Sequence, residues 1–135
     1  MSASKCVVLQ GVPTYNEHGV ASEAITPGHL VQGVTTIAKH ATAGGAAART
    51  FALERDEMGD DINTAYAIGD VVKVGSFSPG DVVNAIVASG AAIAAGSFVE
   101  SAGNGLLRVY AAGTRIGRAV ETQGATSTRL AVEIY

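Results

Sequence analysis

The sequence predicts an all-β protein, a small barrel or sandwich of short strands with little helix. Three observations carry that expectation. A turn glycine followed by large or β-branched residues recurs along the chain. Seventeen glycines are spread through 135 residues, so turns and close backbone contacts are frequent. The last seven residues, 129–135, alternate apolar and polar as a half-buried strand does.

The recurring phrase reads Thr26-Pro27-Gly28-His29-Leu30-Val31, Ala67-Ile68-Gly69-Asp70-Val71-Val72, Ser78-Pro79-Gly80-Asp81-Val82-Val83 and Ala94-Ala95-Gly96-Ser97-Phe98-Val99. A looser copy is Ala111-Ala112-Gly113-Thr114-Arg115-Ile116. Proline at the second turn position fixes φ near −65°, and glycine at the third accepts the positive φ of a type II turn. Valine and isoleucine then favour extended structure. In the second half the phrase glycines are 11, 16 and 17 residues apart. That spacing suits short strands of a sandwich or barrel, and its irregularity excludes a solenoid.

Taken in order, residues 1–24 combine the apolar run Cys6-Val7-Val8-Leu9 with a polar, turn-prone stretch around Pro13 to Gly19. They read as an N-terminal arm carrying one strand, ahead of a single β-rich domain over 25–135. Strands are expected at 30–37 and 49–54, with a small-residue loop at 41–48 between them. A short helical turn is expected near 61–66. Residues 85–95 are alanine-rich, but Gly90 and the β-branched neighbours count against a helix. Gly103-Asn104-Gly105, between two apolar runs, reads as a hairpin turn.

Composition narrows the function classes. One domain of this length buries roughly two-thirds of the surface of its unfolded chain. Yet 24 residues are alanine, with three Phe, four Tyr and no Trp, so the core is thin and assembly with a partner would help it. Net charge is −3 and no basic run occurs, which argues against nucleic acid as a partner. A single cysteine, Cys6, excludes an internal disulfide. The first ten residues lack the apolar core of a secretory signal, and no stretch has the length and character of a membrane span. The reading is a soluble protein made in the cytoplasm.

The common catalytic arrangements are missing. There is no Gly-x-Ser-x-Gly elbow and no phosphate-binding Gly-x-x-x-x-Gly-Lys. His18, His29 and His40 lie eleven residues apart without the paired spacing of a zinc site. Glu54, Asp56, Glu57, Asp60 and Asp61 put five carboxylates in eight residues, but Arg55 interrupts them and the EF-hand order is absent. A solvated loop is the expectation there. No enzyme activity, cofactor or metal is expected.

Several phrases, in order, resemble small tailed-phage capsid decoration, or cement, proteins. They are Gly11-Val12-Pro13 with Asn16-Glu17, the run at 24–31, Phe51-Ala52-Leu53-Glu54, the two Gly-Asp-Val-Val phrases at 69–72 and 80–83, the run at 98–105, and Ile116-Gly117-Arg118-Ala119-Val120-Glu121. Each phrase alone is turn chemistry plus strand residues; their order over most of the chain carries the resemblance. It implies a protein that coats the outside of a phage head, bound to the major capsid protein, as a homotrimer with an N-terminal extension reaching a neighbouring subunit. On that reading Val7, Leu9, Val12 and Tyr15 are the candidate anchors, added to a sheet edge on the partner. The competing reading makes 7–9 the first strand of the barrel itself.

Two alternatives differ in class: a carrier or small-molecule-binding β-domain, and a hydrolase or lyase with an unfamiliar site built on the acidic loop. The Gly-Asp-Val-Val turns are similar to those of lipoyl- or biotinyl-type domains, although Lys73 falls within an expected strand rather than at a hairpin tip. A third alternative stays structural, a tail or baseplate component with the same barrel.

Overall fold

The computed structural model describes residues 6–88 and 90–135. Among them are twelve short strands: β1 (Val8–Gln10), β2 (Thr14–Asn16), β3 (Val20–Ala21), β4 (Val31–Gln32), β5 (Thr36–Lys39), β6 (Thr50–Ala52), β7 (Val74–Ser76), β8 (Val82–Ile86), β9 (Phe98–Gly103), β10 (Leu106–Val109), β11 (Gly117–Ala119) and β12 (Arg129–Ile134). A single 3₁₀ turn, Asp56–Met58, is the helical element among the described residues. The all-β expectation holds.

The strands form a six-stranded sheet, ordered β1-β8-β12-β11-β9-β10, and two three-stranded sheets, β2-β7-β6 and β3-β5-β4. Every pairing is antiparallel except β3 with β5. A bridge from Val87 to Leu107 brings the β8 end of the large sheet toward β10. The sheet curls without closing into a barrel, so of the two expected architectures the sandwich-like one describes the molecule.

The repeated phrase forms the turns it predicts. Gly28, Gly69, Gly80 and Gly96 have φ of 100°, 91°, 96° and 88°. Each turn closes by a hydrogen bond of 3.0–3.1 Å from the residue after glycine to the carbonyl three positions earlier. In three of the four, the residue after glycine also accepts the first residue's N–H. His29 Nδ1 takes Thr26 N–H at 3.0 Å, and Asp70 and Asp81 take those of Ala67 and Ser78 at 2.9 Å. Both polar ends of the turn are thus satisfied within four residues. Asn104 (φ 53°) and Gly105 (φ 73°) make the β9–β10 turn, with positive φ at both central positions as a type I′ hairpin requires.

Four expectations are corrected. Residues 7–21 are part of the body of the fold rather than an arm: β1 pairs with β8, β2 with β7 and β3 with β5. The boundary expected at residue 24 therefore separates nothing among the described residues. The strand expected over 30–37 is two strands, because Gly33 at φ 99° reverses the chain between β4 and β5. The helical turn forms at 56–58, ahead of the expected 61–66. Gly113, in the looser phrase, makes no positive-φ turn; it is there because a Cβ would lie 2.3 Å from the Gly44 carbonyl oxygen.

The main core joins the inner face of the large sheet (Val83, Val99, Leu130, Val132) to Val7, Leu30, Phe51 and Phe77. Phe51 and Phe77 meet edge to face, 5.6 Å between centroids, which adds about 1 kcal/mol to their burial. A second cluster, including Ile25, Val31, Ile37 and Tyr66, fills the space between the smaller sheets. Arg129 ties the parts together. Its Nη2 donates to the Pro27 and Ile62 carbonyls at 2.8 Å each, and Nη1 to Asn84 at 3.5 Å.

Candidate functional site

The polar groups most suggestive of chemistry are spent on structure. His40 and Ser101 sit 2.7 Å apart, the spacing of a base and a nucleophile. The other ring nitrogen of His40, Nε2, faces the Ala46 carbonyl at 2.9 Å and so must carry the proton. Nδ1 then accepts from the Ser101 hydroxyl, whose oxygen in turn accepts Gly103 N–H at 3.1 Å. Ser101 has no exposed surface, and through the Ala46 carbonyl this pair pins the 41–48 loop to β9.

Glu100 is the neighbouring case. Its side chain is 1% exposed and accepts four bonds. Ala111 and Gly113 donate their N–H groups to Oε1 at 3.1 and 2.9 Å, while Arg108 donates Nε and Nη2 to Oε2 at 2.9 and 2.7 Å. The Ala111 N–H above all, then Gly113 N–H and Arg108, outweigh burial and hold the carboxyl at about 2. His29 behaves oppositely. Burial first, then Lys39 and Arg129, pushes its imidazole down to about 4.

The acidic loop is partly neutralised by the chain itself. Lys73 Nζ lies 3.3 Å from Asp56 and 3.4 Å from Glu57, and Arg55 Nη2 lies 3.2 Å from Asp60. Among the described residues no group of three or more His, Cys, Asp or Glu side chains is placed to hold a metal. Lys73 also stacks 5.0 Å from the Tyr15 ring, away from any hairpin tip where a carrier lysine would be presented. No helix among the described residues is long and apolar enough to cross a membrane.

The four candidate anchors separate. Val7 is fully buried, its N–H bound by Glu54 Oε2 at 2.9 Å, so it is core and not partner surface. Leu9 is half-buried in β1. Val12 and Tyr15 face solvent at 87% and 54% exposure, on and just before β2, the outer strand of its sheet. A cleft of about 440 Å³ opens beside β2, lined by Asn16, Val31, Val34, Ile37, Ala47 and Val74 among others.

A second surface went unread in the sequence. On the outer face of the large sheet, register puts Phe98 opposite Arg118 and Arg118 opposite Glu133, which it meets at 2.7 Å. Arg115 Cζ lies 4.4 Å from the Phe98 centroid and 5.2 Å from that of Tyr110. Tyr135 packs edge-on to Phe98 at 5.2 Å, with Arg118 Cζ 5.3 Å from its own ring. These residues span 38 positions of sequence, from 98 to 135, and only the strand order gathers them.

Fold and surface together define a β-rich protein of one large and two small sheets, with aromatic and charged side chains on its outer faces. No family model matches the chain. No curated protein matches it either. Among solved structures it is similar to the crystal structure of the head fiber gp8.5 N base of bacteriophage phi29, with a TM-score of 0.61 and 16% sequence identity. The likeness covers 92% of this chain and 93% of that one, so the two share a fold from end to end.

Proposed function

We propose that this chain is a structural protein of a phage head, one that binds the outer surface of the shell and reinforces its mature form. The observation that carries the reading is the fold held in common with the phi29 head-fibre base across 92% of the chain. The ordered phrases of the sequence point the same way independently of that fold. The internal use of Ser101, His40 and Glu100 supports a mechanical role without catalysis.

The mechanism is avidity. Copies presented together as a homotrimer would each make a modest contact with the major capsid protein, and linking them raises overall binding by roughly two to four orders of magnitude. Selective binding to the expanded shell would then stabilise that state by mass action. A second reading, favoured by the neighbour being the base of a head fibre, is that the domain is a mount on the shell for a longer appendage.

A pelleting assay tests the proposal, with purified protein mixed with expanded and unexpanded shells of the phage that encodes it. Saturable binding to expanded shells is the expected result. No binding to either form, together with heads lacking the protein that are equally robust, would overturn it.

A further inference from the structure

We infer that the arginine–aromatic row on the outer face of the large sheet is a docking surface for a second copy of this chain, which inserts the acidic tip around Met58. The inference deepens the oligomeric part of the proposed function, and rests on that reading only in expecting the assembly to close as a ring.

The receiving surface is built rather than incidental. Phe98, Arg118 and Glu133 lie side by side on β9, β11 and β12, while their sequence neighbours Val99, Ala119 and Val132 point into the core. Arg118 is neutralised by Glu133, but Arg115 is exposed and has no carboxylate partner among the described residues. Its guanidinium lies over two rings, those of Phe98 and Tyr110. An exposed guanidinium without a carboxylate of its own can take one through two parallel hydrogen bonds. Arginine and tyrosine set among apolar area is also the composition of binding hot spots.

The complementary group is on the same chain, in a different part of the fold. The 3₁₀ turn after β6 presents Met58, 71% exposed, between carboxylates. Asp56 and Glu57 share one cation, Lys73, leaving a surplus negative charge, and Asp61 is bound by the Asn63 N–H and Thr64 hydroxyl without a cation. A flexible thioether flanked by carboxylates suits a surface of ring edges flanked by guanidinium. Because giver and receiver are different surfaces, copies join head to tail, a geometry that closes as a ring when the rotation permits.

Sedimentation velocity on the purified chain, without shells, tests this and leaves the head-binding reading to its own assay. The wild type is expected to assemble at low ionic strength and to dissociate as salt rises. Arg115→Glu alone and Glu57→Lys alone should each weaken association on the order of a hundredfold by setting like charges together. The two changes in one chain should restore the assembly, since each reversed tip then meets a reversed face. Mixing the two single variants should restore association, since each variant's tip then meets the other's oppositely charged face, which also shows that both are folded. A wild type that stays monomeric at high concentration, single variants as assembled as wild type, or a combined variant that remains monomeric would each overturn the inference.

Discussion

Replacing Glu100 by glutamine separates charge from shape at the most heavily bonded side chain of the fold. The amide oxygen can keep the Ala111 and Gly113 N–H groups, but the NH₂ then faces the Arg108 donors. Hydrogen bonds to charged groups contribute about 1.5–3 kcal/mol each. Arg108 is 43% exposed and can turn toward water, so the expected cost is that of roughly one such bond, about 2–3 kcal/mol. Glu100→Ala removes the acceptor for all four bonds and should cost about 3–5 kcal/mol. Urea unfolding at fixed protein concentration near neutral pH reads both. Glutamine should also lower the melting temperature by roughly 6–15 °C in a domain of this size.

The pH dependence is the sharper test. The carboxyl is held at about 2, below its ordinary 4.5. Its contribution is therefore complete above the ordinary value and is lost as pH falls from there toward about 2. Once protonated, Glu100 resembles glutamine, so the gap between wild type and Glu100→Gln should close in that interval. A glutamine variant within about 0.5 kcal/mol of wild type at neutral pH, or a gap that persists unchanged in acid, would refute the account.

Two further outcomes follow from neighbouring geometry. Arg129→Met keeps the aliphatic stem but strands the Pro27 and Ile62 carbonyls, so unfolding free energy should fall by about 2–4 kcal/mol in urea titrations. His29 should titrate near 4 by NMR, well below 6.5, because burial and the cations Lys39 and Arg129 disfavour its charged form. The unfolded chain takes up that proton first, so this residue makes stability fall as pH drops from about 6.5 to about 4. A His29→Gln variant should lose that slope.

What could be read from the sequence was what local chemistry decides. Pro27-Gly28 and Pro79-Gly80 declare their turns because proline and glycine each admit few backbone states. Asn104-Gly105 declares a hairpin for the same reason. Gly33 and Gly113 could not be placed, since one reverses a run of strand formers and the other answers to a backbone met only in the fold, Gly44. Residues 7–9 read equally as an arm or a first strand; only the long-range pairing with β8 decides. The arginine–aromatic row stayed hidden because nine cations scattered in sequence show no run. Its one available signal was the alternation of 129–135, which marks Glu133 and Tyr135 as lying on one face, opposite the core-facing Val132 and Ile134.

The sheet order has a consequence for how the chain reaches this state. β12 lies at the interior of the large sheet, between β8 and β11, yet it is the last of the twelve strands to be synthesised. Until it emerges, β8 carries only β1, and β9, β10 and β11 form a separate ribbon with an open edge. The two halves are joined through β12 by one late, non-local insertion, the kind of step that makes folding slow. The interval before that insertion, with two unpaired edges exposed, is when this protein is most open to misassembly with other nascent copies.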